Sequence, residues 1–268
     1  MTTGPDSTPK SAGRVPNDAL TAAREMSEWV GQLTIEGMMH PPADSPAGQD
    51  RSAVAGDEIR LDRLTRGLGV AGMRFHSGRS CLDALVVCQT IGDPVTATHS
   101  LARVVFETSA WARWLCRLDI GVEERISRMA ADELYGMIET RKMMKELDVP
   151  VTYDAELRDL LATAGITPAD RPHSTTVVGQ VLGEEIEQQT RMLYRLLCAH
   201  PHGSSHVWLS STPSFGEGIK PFKHACMVFL WAFWYYTQYI GWEPLPKWAE
   251  WAEAAKPCFI LDQQGDGT

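Results

Sequence analysis

At 268 residues with 44% hydrophobic side chains, the chain can hold one large domain or two small ones around an ordinary globular core. Its 34 acidic residues outnumber 25 Lys and Arg for a net charge of -9, which excludes general binding to a DNA phosphate backbone and leaves nucleic-acid contact only to a local patch. Six cysteines (Cys81, Cys88, Cys116, Cys198, Cys226 and Cys258) form no C-x-x-C pair, so they read as reduced, packed thiols of a cytoplasmic protein and not as a zinc knuckle or disulfide framework.

Residues 1–16 are rich in Pro, Thr, Ser and Gly with no apolar h-region, and read as a disordered tail rather than a signal peptide. Leu20, Met26, Trp29, Val30 and Leu33 predict a helix from Asn17 to Met39, stopped by His40-Pro41-Pro42. Residues 40–56 read as a linker. A helix is predicted over Val70–Ile91, ended by Gly92-Asp93-Pro94, and another over Val95–Leu118 with Leu101, Val104, Val105, Thr108, Trp111 and Leu115 on one stripe.

Glu123–Leu147 carries mixed charge, including Arg125, Arg128 and Asp132, and reads as a solvated outer helix. A short helix at Ala155–Ala164 ends at Gly165, and a longer one spans Val177–Ala199 with Val178, Val181, Leu182, Glu185, Gln189, Met192, Leu193 and Leu196 on one face. Ala225–Trp242 runs 18 residues without a charge, but its Trp and Tyr sit mid-segment and Thr237-Gln238 interrupt it. That composition predicts a buried central helix and not a membrane span.

A final helix over Lys247–Ala255 precedes a flexible tail at 259–268. With no period-2 run and no repeat, the expectation is all-α: one helical-bundle domain over 17–258, of about seven to eight helices around the aromatic-rich central one.

The densest chemistry lies in Tyr194-Arg195-Leu196-Leu197-Cys198-Ala199-His200-Pro201-His202-Gly203 with His206, which gathers an arginine and three of the eight histidines. Pro201 disfavours helix at His200, so a turn is expected at the negative end of the helix dipole, where an imidazolium is favoured. His200, His202 and His206 are also candidate metal ligands, although no H-E-x-x-H or E-x-x-H signature accompanies them. Glu107, with Trp111 and Trp114 at i+4 and i+7, reads either as a poorly hydrated general acid or base, or as half of an i,i+4 pair with Arg103. No G-x-S-x-G, G-x-G-x-x-G or P-loop signature is present.

Two segments carry a resemblance. The run Leu101-Ala102-Arg103-Val104-Val105-Phe106-Glu107 through Trp111 and Leu115, the Arg125/Arg128 helix, and Tyr194-Arg195 with His202-Gly203 resemble a bacterial family of uncharacterised all-helical proteins. That family has an R-x-x-F-E helix and a later Y…H-G helix end, and the resemblance covers about Val70 to Val207.

The second segment is also similar to the HEPN superfamily, helical ribonucleases and toxin-related proteins with an Arg, four to six residues, then His; Arg195 with His200 or with His202-Gly203 fits both spacings. The resemblance implies a metal-independent ribonuclease or toxin-type effector that acts through Arg195 with His200 or His202, commonly as a homodimer on RNA.

Two other classes stand beside it. One is a small-molecule enzyme, metal-dependent or not, with a pocket between Glu107 and the His200–His206 turn. The other is a non-catalytic interaction module.

Overall fold

A computed structural model describes residues 15–91, 95–199, 219–242 and 247–255. The described residues form helices only: α1 Asn17–Gly31, α2 Ile35–Met39, α3 Pro46–Ala53, α4 Glu58–Ile91, α5 Val95–Leu115, α6 Val122–Glu146, α7 Tyr153–Thr163, α8 Ser174–Gly179, α9 Glu187–Ala199, α10 Ile219–Ile240 and α11 Trp248–Ala255. Among the described residues there are thus eleven α-helices where seven to eight were expected for the chain, because segments read as single helices or loops divide further. The predicted Asn17–Met39 helix breaks after Gly31, and α2 restarts where the Thr34 side chain accepts from the Gly37 amide at 3.0 Å. The linker-like stretch at 40–56 contains α3, opened by Ser45 Oγ accepting from the Gly48 amide at 3.0 Å with Pro46 in its first turn.

α4 begins twelve residues earlier than the predicted Val70, because Asp57 Oδ1 accepts from the Arg60 amide at 3.0 Å and starts the helix there. Leu64, Leu68, Ala71 and Phe75 then recur at helical spacing and are fully buried. Gly72 allows close approach to α2, since a Cβ there would sit 1.7 Å from Met38 Sδ. α5 packs between α4 and α10 and also meets α8 and α9.

α10 is the buried aromatic helix expected from composition. Phe222, Phe229, Phe233, Tyr236 and Tyr239 are buried on it, and Phe229, Phe233 and Tyr236 pack around Phe75 of α4 at 5.1–5.9 Å between ring centres. Among the described residues no helix is long and apolar enough to cross a membrane. One buried apolar cluster includes residues from Val15, at the end of the predicted tail, to Ala255. Cys81, Cys88, Cys116, Cys198 and Cys226 are not disulfide-bonded, and burial pushes Cys116 up to about 12.

α6 departs most from its sequence reading. Arg125 and Arg128 are only 2% and 9% exposed, and Asp132 is 9% exposed, because positions 125, 128, 129 and 132 share the inward face at i, i+3, i+4, i+7 with Met129. Arg125 donates to the carbonyls of Leu115, Arg117 and Ile120 at 3.4, 2.5 and 3.0 Å, and through Nε to Asp50 Oδ2 at 2.8 Å. Tyr239 Oη donates to the same Asp50 oxygen at 2.8 Å while its ring lies 4.2 Å under the Arg125 guanidinium. Arg128 adds a bond of 2.9 Å to the Trp114 carbonyl.

The C-terminal carbonyls of α5 thus find cationic donors from a neighbouring helix instead of water. Arg125→Ala is expected to lower the unfolding free energy by about 3 kcal/mol, as for a buried ion pair stripped of one partner. Urea denaturation measures it, and a loss below about 1 kcal/mol would show that the pair behaves like a surface one.

Candidate functional site

The predicted Val177–Ala199 helix is interrupted. α8 ends at Gly179, two short 3-10 turns cover Gln180–Leu182 and Glu184–Ile186, and Gly183 between them has φ 103° and ψ 168°. Only glycine adopts that conformation readily, so the residue sets the break and no single apolar face joins Val178 to Leu196. Arg113 of α5 holds the turn, with Nη1 donating to the carbonyls of Gln180, at 2.8 Å, and Val181. Its guanidinium lies 4.3 Å over the Tyr235 ring, and burial lowers its pKa. A cleft of about 240 Å³ beside it is lined by Arg117, Glu184 and Glu187 among others. Arg117 pairs there with Asp119, and Glu187 with Arg191.

After the break, α9 buries Thr190, Leu193, Tyr194 and Leu197 at i, i+3, i+4, i+7. Tyr194 is 4% exposed, and its hydroxyl donates to Glu107 Oε1 of α5. Arg103 Nε donates to the same oxygen at 3.0 Å. Glu107 therefore forms the i,i+4 pair that its sequence allowed, with an added phenol donor from α9. Burial first, then the hydrogen bond to Glu107, pushes the Tyr194 phenol up, so it stays a proton-bearing donor at neutral pH. The thiol of Cys198, one turn further on, engages the same phenol.

Arg195, the next residue after Tyr194, is exposed, and among the described residues it meets no carboxylate. The structure thus brings together Arg103, Glu107, Tyr194 and Cys198 where α5 meets α9, and leaves Arg195 facing solvent on the other side of α9. His200, His202 and His206 lie outside the described residues. Among the described residues no group of three or more His, Cys, Asp or Glu is placed to hold a metal ion.

No family model, curated protein or solved structure matches this chain.

Replacing Tyr194 by Phe keeps the packed ring and deletes the phenol donor. Tyr194→Phe is expected to lower stability by about 1.5 kcal/mol, as for a hydrogen bond to a charged group, with the loss read from thermal and urea unfolding. No change would mean that Arg103 alone satisfies Glu107.

Proposed function

We propose that the solvent-facing side of α9 is an RNA-directed, HEPN-like site in which Arg195 contacts the scissile phosphate and His200 or His202 moves the proton. The observation that supports this most is an arginine left exposed with no carboxylate partner among the described residues, on a protein with nine more acidic than basic side chains. Most other arginines here are taken up by carboxylates or carbonyls, as Arg63, Arg74, Arg125 and Arg128 are. The Tyr194–Glu107–Arg103 link fixes the face of α9 that packs on α5, which holds Arg195 on the opposite, solvent-facing side. Tyr194 and Glu107 are thus positioning residues.

The chemistry fits these side-chain types. An imidazole accepts the proton of a ribose 2′-hydroxyl as that oxygen attacks phosphorus. The 5′-oxygen leaves and takes a proton, so the product ends carry a 2′,3′-cyclic phosphate and a 5′-hydroxyl. A guanidinium on the non-bridging oxygens stabilises the charge that develops there.

Cleavage of a fluorophore-labelled single-stranded RNA by the full chain tests the assignment. Arg195→Ala is expected to reduce the rate at least about 100-fold, the usual scale for removing one charge-stabilising donor. The His200→Ala/His202→Ala double variant should lose about as much or more. An unchanged rate in both variants, or no cleavage by the parent chain, would overturn the reading.

A further inference from the structure

A second and larger cleft, of about 690 Å³, lies between α4 and α6 and is bounded by Arg171 from the segment between α7 and α8. None of its lining residues belongs to α9, so a ligand bound there is independent of the RNA reading. Four arginines line it, Arg63, Arg66, Arg74 and Arg171, against two carboxylates, Asp132 and Glu133. That local excess of positive charge occurs in a chain whose net charge is -9.

The arginines are not fully used. The Arg63 side chain is 4% exposed and its two terminal nitrogens reach Asp62 and Glu133, yet its buried Nε has no hydrogen-bond partner. Arg74 Nη2 donates to both oxygens of Asp132, at 2.9 and 2.8 Å, while its buried Nη1 donates to nothing. Arg171 lies between two rings, 3.6 Å from the centre of Trp111 and 3.8 Å from that of Tyr135. Its buried Nε stands 3.6 Å from Asp132 Oδ1, beyond hydrogen-bond range, and is unpartnered. One carboxylate thus serves two guanidinium groups, and three buried N–H donors are left without an acceptor.

The remaining wall is apolar and open. Met73, Tyr135 and Val70 line the cleft with 62%, 43% and 38% of their surface exposed. Gly136 leaves room beside them, since a Cβ there would meet nothing within 4 Å.

We propose that this cleft binds a small organic anion, with its carboxylate, sulfonate or phosphate on Arg74 and Arg171 and its apolar body against Met73, Val70 and Tyr135. The Arg74 and Arg171 side chains each keep 21% of their surface exposed at the cleft, and guanidinium groups bind oxyanions through paired N–H bonds. The ring sandwich holds Arg171 in place in advance of binding, which reduces the ordering cost.

Fluorescence titration of the full chain with 1-anilinonaphthalene-8-sulfonate, against its uncharged counterpart N-phenyl-1-naphthylamine, tests this. The sulfonate should saturate one site and bind at least roughly tenfold tighter than the neutral amine, the worth of a charge-assisted contact. Gly136→Leu fills the groove at an exposed helix position without disturbing an ion pair, and should weaken sulfonate binding at least about tenfold at unchanged helix content. Arg171→Met should weaken the sulfonate but not the amine. Equal affinity for the two probes, or undiminished sulfonate binding in Gly136→Leu, overturns the proposal.

Discussion

The fold depends on how the end of α5 is closed. Helix C-termini leave carbonyls that water or a cap must satisfy, and here the carbonyls of Trp114, Leu115 and Arg117 are met by the guanidinium groups of Arg128 and Arg125 from α6. Burying an arginine is costly unless its charge and its donors are satisfied. Arg125 meets that condition through three carbonyls, the Asp50 carboxylate and the face of Tyr239, so one side chain joins α3, α5, α6 and α10. Since α5 is packed between α4 and α10, its placement fixes what those helices can meet.

The same helix organises both the α9 seam and the arginine-lined cleft. Near its middle, Arg103 and Glu107 hold α9 through Tyr194. Toward its end, Arg113 holds the turn just before Gly183, and Trp111 forms one wall of the ring sandwich around Arg171. The seam and the cleft thus draw on one helix but on different side chains of it. On the two proposals, an anion in the cleft would bear on Arg74 and Arg171, while RNA would bear on Arg195 on the solvent-facing side of α9.

Apolar periodicity located α5 and α10, because their stripes are long and uninterrupted by charge, and it placed Arg125 and Arg128 on a helix. It put that helix on the outside, since a charge count along α6 does not reveal that two arginines and an aspartate recur on the inward face at helical spacing. The first twelve residues of α4 were hidden by their charges and by Gly67 and Gly69, although the Asp57 cap preceded them. At the site, the Arg103–Glu107 pair was legible from its spacing of four. Tyr194 was not, because the stripe read from the sequence ran through Met192, Leu193 and Leu196 and left it off, and the carboxylate that accepts from it lies on a helix 87 residues away. The anion cleft had no local signal at all, as Arg63, Arg74, Asp132 and Arg171 converge only through tertiary packing.

The proposed activity is RNA cleavage by 2′-hydroxyl attack on the solvent-facing side of α9, without a metal ion. It is tested most directly by the chemistry of the ends produced when the full chain is incubated with RNA in excess EDTA. Mass spectrometry of the fragments should find 2′,3′-cyclic phosphate and 5′-hydroxyl termini. Intact RNA, or cleavage that EDTA abolishes and that leaves 5′-phosphate ends, would contradict the account.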